Sequence, residues 1–149
     1  MFINGSDVLL YIDSKAVGHC KSHTAEYNTE TKEHAFKPEA SASSGSSLWR
    51  GKSVTALSMS VNFEGFRFSE ETELTYADLL AAWKAGKSIG CKLMDRGADT
   101  PYATGNFVIT KLSESDPGQD DVTYSGTLEN DGVITIDTTQ LKNSAQGGV

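Results

Sequence analysis

A chain of 149 residues with 38% hydrophobic and 22% charged content reads as one domain, residues 1–149, large enough to bury a core without disulfide or metal staples. Its 20 acids outnumber its 13 bases, for a net charge of −7, the reverse of what a protein that grips phosphates requires. The apolar run Val8–Ile12 is far short of the roughly 20 residues of a membrane span. It has no basic leader or small-residue cleavage site, so the chain is expected to stay off membranes and to be kept or assembled in a cytoplasm.

Residues 7–12 read as a strand, turned back at Asp13-Ser14-Lys15 into Ala16 and Val17, and a long polar alternating segment then runs to about Thr31. Residues 33–52 follow as a loop with a Ser/Ala-rich middle, carrying Phe36, Leu48 and Trp49 near its ends. A structureless stretch of about 20 residues is uncommon inside a compact domain, so this one is expected to be ordered by a partner surface. Leu57, Met59, Val61 and Phe63 then alternate with Ser58, Ser60 and Asn62, the period of a strand with one buried face.

One segment is helical, over residues 76–85. Thr75 and Asp78 have the spacing of a capping box, and Gly86 supplies a left-handed stop beside Lys84 and Lys87. Tyr76, Leu79, Leu80 and Trp83 are expected to form one buried face, which makes Trp83→Ala a folding mutation. Two further strands span residues 89–94 and 107–112, followed by a turn at Asp116-Pro117-Gly118. A hairpin of residues 122–129 and 133–137 is expected around Asn130-Asp131-Gly132, and residues 142–149 are read as a flexible tail. Many short strands with one helix predict a mainly β fold, a β-sandwich or partly closed β-barrel with a flanking α-helix and a long early loop.

Chemistry is sparse. The triplets Gly86-Lys87-Ser88 and Gly51-Lys52-Ser53 lack the earlier glycine of a phosphate loop, since Ala81 and Ser46 stand in its place. His19 and His23 lie about 13 Å apart if the segment is a strand, too far to share a zinc ion. Asp116, Asp120 and Asp121 lack the order of a calcium loop. No G-x-S-x-G elbow occurs, and Cys20 and Cys91, 71 positions apart, read as small hydrophobes. No catalytic residue, metal site or cofactor is assigned. The charge is uneven: between residues 113 and 140 lie seven acids (Glu114, Asp116, Asp120, Asp121, Glu129, Asp131, Asp137) and no base, while the remaining 13 acids match the 13 bases. Either this is a solvated surface that aids solubility, or it is a surface that repels a polyanion.

The order of these pieces resembles the major tail tube proteins of long-tailed bacteriophages. The resemblance rests on the Asp7-Val8-Leu9-Leu10-Tyr11-Ile12 strand, the loop ending in Leu48-Trp49-Arg50-Gly51-Lys52 and the alternating strand of residues 57–63. It continues through Leu74-Thr75-Tyr76-Ala77-Asp78-Leu79-Leu80, Ala85-Gly86-Lys87 and the closing acidic segment. The resemblance implies a non-enzymatic virion protein that forms hexameric rings stacked into a hollow tube. Its partners are then its own copies and the tail initiator and terminator proteins, with DNA passing through unbound. The loop of residues 33–52 takes the place of the family's inter-subunit or inter-ring loop, with Phe36, Leu48, Trp49 and Arg50 as contact residues. Ser58, Ser60, Asn62, Thr123, Ser125, Thr127 and Glu129 are expected to line the lumen, because small hydroxyls and carboxylates hold a passing polyanion weakly. The alternatives are a monomeric immunoglobulin-like or carbohydrate-binding module, the tube protein of a contractile injection machine, and a small hydrolase.

Overall fold

The first reversal of the chain falls at Asp13 and Ser14, whose φ angles of 52° and 66° belong to the mirror-image two-residue turns that suit the twist of paired strands. It joins β1 (Val8–Ile12) to β2 (Lys15–Ala16), with Ile12 opposite Lys15. The computed structural model describes residues 2–17, 20–34, 50–68 and 74–141. Within these, β3 (Cys20–His34), β4 (Gly51–Phe66), α1 (Tyr76–Ala85), β5 (Ile89–Asp95), β6 (Ala103–Ser115), β7 (Thr123–Asn130) and β8 (Thr135–Ile136) follow in order. The expected loop is therefore shorter at both roots, because Glu33 and His34 pair with Lys52 and Gly51 in the ladder.

The strands form a single sheet in the order β2-β1-β5-β6-β7-β4-β3, antiparallel at each pairing. The sheet curls on itself: its edge strands β2 and β3 are near neighbours in sequence, and Leu10 of β1 and Ala25 of β3 line a common recess. The fold is thus mainly β with one helix, as the strand pattern implied, and the sheet is open between its edges β2 and β3. One face buries Met59, Val61 and Phe63 of β4, Tyr124 and Leu128 of β7, Phe107 and Ile109 of β6, Leu93 of β5 and Ile12 of β1. The rings of Phe63 and Tyr124 meet edge-on at 6.3 Å. Gly126 keeps this layer thin, since a Cβ there would sit 2.6 Å from Phe63 Cζ and 2.9 Å from Leu112 Cδ2.

Helix α1 closes the core. Both halves of the Thr75–Asp78 capping box are made, and Gly86 ends the helix at φ 67°. The buried stripe is narrower than expected. Leu79 is 1% exposed and Tyr76 is buried, with Ala82 packed beside them, but Leu80 is 43% and Trp83 52% exposed. At about 100° per residue, Leu80 lies well round the helix from Leu79. The helix lies on one sheet rather than between two, so a single stripe is all that it can bury.

The expected hairpin of residues 122–129 and 133–137 is not formed. Both edges of β7 are already taken, by β4 and β6, and β8 instead pairs with Ala103 and Thr104 of β6. β7 and β8 thus lie along the same partner strand, separated by a kink where Gly132 has φ 89°. The turn residues mark that kink. Asn130 fixes it, its side chain accepting from Met59 N–H (2.9 Å) and donating to Gly132 C=O (2.9 Å). The register also orients the molecule. Val8 opposite Asp95, Ala103 opposite Ile136 and His34 opposite Gly51 lie toward one end of the sheet, and the acidic turn after Ser115 lies at the other.

Candidate assembly surfaces

Strands β3 and β4 pair over their whole length, from Cys20 opposite Gly65 to His34 opposite Gly51, but β7 covers only Ser60–Phe66 of β4. The outer parts of β3 and β4 therefore form a two-stranded arm. Ribbons of this kind are marginally stable alone in water. Ion pairs from Glu33 to Arg50 (3.4 Å) and Lys52 (3.8 Å), and a contact between His34 and Ser53, hold its end. The three side chains of the ion pairs are all more than half exposed, so such pairs contribute only about 0–1 kcal/mol.

The arm continues the apolar face of the sheet beyond the core. Thr29 faces Leu57, and a register shift at Glu30/Thr31 sets Thr31 against Val54. Leu57 is 73% and Val54 63% exposed. Near the base of the arm, Tyr27, Leu57, Met59, Val133, Ile134 and Ile136 line an open apolar recess of about 580 Å³.

The opposite face is polar, and the ladder assembles it row by row. Ser60 stands beside Glu129 and Glu26, Asn62 beside Thr127 and Thr24, and Glu64 beside Ser125 and Ser22. Thr127 Oγ1 donates to Asn62 Oδ1 at 2.7 Å. Ser58 and Thr123 lie at the two ends of the same alternation. All seven residues assigned from the sequence to a common face, Ser58, Ser60, Asn62, Thr123, Ser125, Thr127 and Glu129, are brought together on it. Ser22, Thr24, Glu26 and Asn28 of β3, Glu64 of β4, and Lys111 and Ser113 of β6 join them. The alternation of β3 carried that signal, but its phase relative to β4 is set only by the pairing. Of the expected loop contacts, Phe36, Leu48 and Trp49 lie outside the described residues, and Arg50 is exposed at the outer end of the arm.

Among the described residues, two strand edges on this side have no partner strand. β3 pairs with β4 alone. β6 gives residues 103–107 to β5 but has no strand against residues 108–115 on that side. The four-stranded unit β6-β7-β4-β3 is therefore open at both edges.

The titratable groups do not gather into reactive chemistry. Burial pushes the Cys91 thiol up to about 12, helped by the negative charge of Asp13, and raises Cys20 as well, so neither is an activated nucleophile. Burial also raises the Tyr102 hydroxyl to about 12, with the charges of Tyr27 and Asp95 adding to it. Burial lowers His23 from its ordinary value. No group of three or more His, Cys, Asp or Glu could hold a metal ion among the described residues. No helix among them is long and apolar enough to cross a membrane.

A curled antiparallel sheet with one wet face, two open edges and an arm extending past its core defines a β-structural protein with surfaces left for pairing. The chain belongs to the phage tail tube protein family, whose model matches residues 2–136. Solved structures agree in fold. The tail of an empty gene transfer agent particle, computed with helical refinement and C6 symmetry, is similar with a TM-score of 0.70 and 18% identity, covering 92% of this chain and 100% of that one. The SPP1 tail tube is similar with a TM-score of 0.64 and 15% identity, covering 91% and 80%. The sheath-tube complex of the extracellular contractile injection system PVC gives a TM-score of 0.57 at 14% identity, covering 91% and 93%. A search of curated protein sequences gave no significant match.

Proposed function

We propose that this tail tube protein assembles into six-membered rings that stack as a hollow tube, with its polar face turned to the lumen. The observation that carries the reading is the pair of open edges, β3 and the outer half of β6, flanking one polar-faced, four-stranded unit. An edge that leaves its N–H and C=O groups unpaired is a template for another strand. Two different edges on one chain make a heterologous contact, which closes into a ring when the rotation allows. The C6 symmetry of the gene transfer agent tail supports six copies.

Ser, Thr, Asn and Glu on the lumen side suit a conduit for DNA, because each Lys or Arg contact would add salt-dependent affinity at every ring. The mechanism is assembly in the host cytoplasm followed by passive conduction, without catalytic turnover. The arm and residues 35–49 then reach a neighbouring subunit or ring, with Phe36, Leu48, Trp49 and Arg50 as contacts. Initiator and terminator proteins complete the two ends. The SPP1 tail tube and the sheath-tube complex of a contractile injection system share this fold, and both contractile and non-contractile machines remain within the proposal.

Negative-stain electron microscopy across concentration tests it. Hollow tubes or six-membered rings are the expected result, and a persistent monomer would favour a binding module. Deleting residues 40–47 should leave a folded monomer or ring that forms no tubes; normal tubes would show the loop dispensable.

A further inference from the structure

The polar face of the four-stranded unit carries Glu26, Glu64 and Glu129 and, at its β6 edge, the base Lys111. Lys111 is exposed and has no carboxylate within ion-pair distance among the described residues. On a surface that must release DNA, an unpaired base repeated around each ring would be a liability. Its position suggests another partner.

Lys111 sits on the part of β6 that has no strand on its outer side among the described residues. At the far edge of the unit, β3 presents Ser22, Thr24, Glu26 and Asn28 on the same face. Successive strands in β6-β7-β4-β3 are antiparallel, so β6 of an adjoining copy would run antiparallel to β3 and continue the sheet. The ladder also fixes the level, because Lys111, Thr127, Asn62 and Thr24 occupy one row. A ring that closes without shear sets Lys111 of one copy opposite Thr24 of the next, with Glu26 as its diagonal neighbour. A stagger of one pleat in that direction sets Lys111 directly opposite Glu26. Opposite and diagonal neighbours, with Cβ atoms about 4.5–5.5 Å and up to about 7–8 Å apart, are both within reach of a lysine and a glutamate.

From this juxtaposition we infer that Lys111 pairs with Glu26 of the adjoining copy across the seam between subunits. The pair selects the strand register of the ring and neutralises the base that would otherwise hold DNA. The inference rests on the ring reading above and adds the residues that set its register.

The test uses two charge reversals on the full chain, K111E and E26K. Both positions are exposed, so each variant should melt with the wild type. Alone, K111E sets Glu against Glu at every seam and E26K sets Lys against Lys. Like charges placed together across an interface suppress association, so the concentration at which tubes form should rise at least about tenfold for each. Mixed one to one, the variants can alternate around an even-numbered ring with opposite charges at every seam, and tubes should return at near wild-type concentration. A pair formed within one chain could not be restored by mixing. Wild-type tubes with no rescue in the mixture, or either variant assembling alone like the wild type, would overturn the pair and leave the ring reading standing. Absence of rings and tubes from the wild type would take down both.

Discussion

Strand β4 is two different objects along its length. From Met59 to Phe63 every second side chain is buried, against β7 and the core; from Lys52 to Ser58 every residue is exposed, and β3 is the one strand paired with it among the described residues. The covalent pattern hardly changes between the halves, since Val54 and Leu57 are as apolar as Val61. What differs is the supply of neighbours. The body is closed by its own chain, while the arm carries apolar side chains, Val54 and Leu57, that the described residues leave exposed.

The largest expected effects lie in the body. Leu79→Ala should cost about 2–5 kcal/mol by leaving a cavity under α1, read as a drop in the melting temperature of the isolated chain. Trp83→Ala, on the same helix but half in solvent, should cost well under half as much. Equal losses would mean that α1 buries a wider stripe than described. In the arm, Leu57→Ser should change monomer stability by no more than about 0.5 kcal/mol yet abolish or strongly reduce tubes. A large loss of monomer stability would make the arm part of the body after all.

The smallest effect is a pH dependence within the body, where His23, opposite Phe63 in the ladder, faces the recess between β1 and β3. Its pKa is lowered in the folded chain because burial disfavours the charged ring. As the pH falls below about 6.5, the ordinary value for histidine, the unfolded chain takes up a proton that the folded chain resists, so stability declines until the folded group also titrates. His23→Gln should flatten that decline in urea melts at pH 7 and pH 5; an unchanged slope would place the titration elsewhere.

The parts legible in the sequence were those whose signals are local. Thr75, Asp78 and Gly86 define α1 to the residue, and the alternation of residues 57–63 fixes the faces of β4. The misread parts were those decided by non-local competition. Asn130-Asp131-Gly132 has the chemistry of a reversal, but no free edge remained on β7 for a returning strand. The alternating segment read to about Thr31 is β3, which ends at His34, but the start of β4 at Gly51 rather than near Leu57 was hidden, because its outer part is ordered by pairing with β3 and not by a buried face. Likewise, the burial expected of Leu80 and Trp83 followed from helical period alone, and period says nothing about how much sheet lies beneath a helix. The seven residues expected at the lumen share one face because a strand of period two has only two faces. Their companions on β3 and β6 could be added only once the pairing order was known.

One consequence follows from where the arm lies. It leaves the sheet at the same end as residues 2–7 and the close of the described chain, whereas the far end carries the acidic turn after Ser115. A subunit with such unlike ends cannot be inverted in a stack without losing its fit, so a tube built from it is a vector. Growth at the arm-bearing end and growth at the acidic end are different reactions with different rate constants. In the proposed tube, proteins that start and stop it would therefore recognise opposite poles of the same chain.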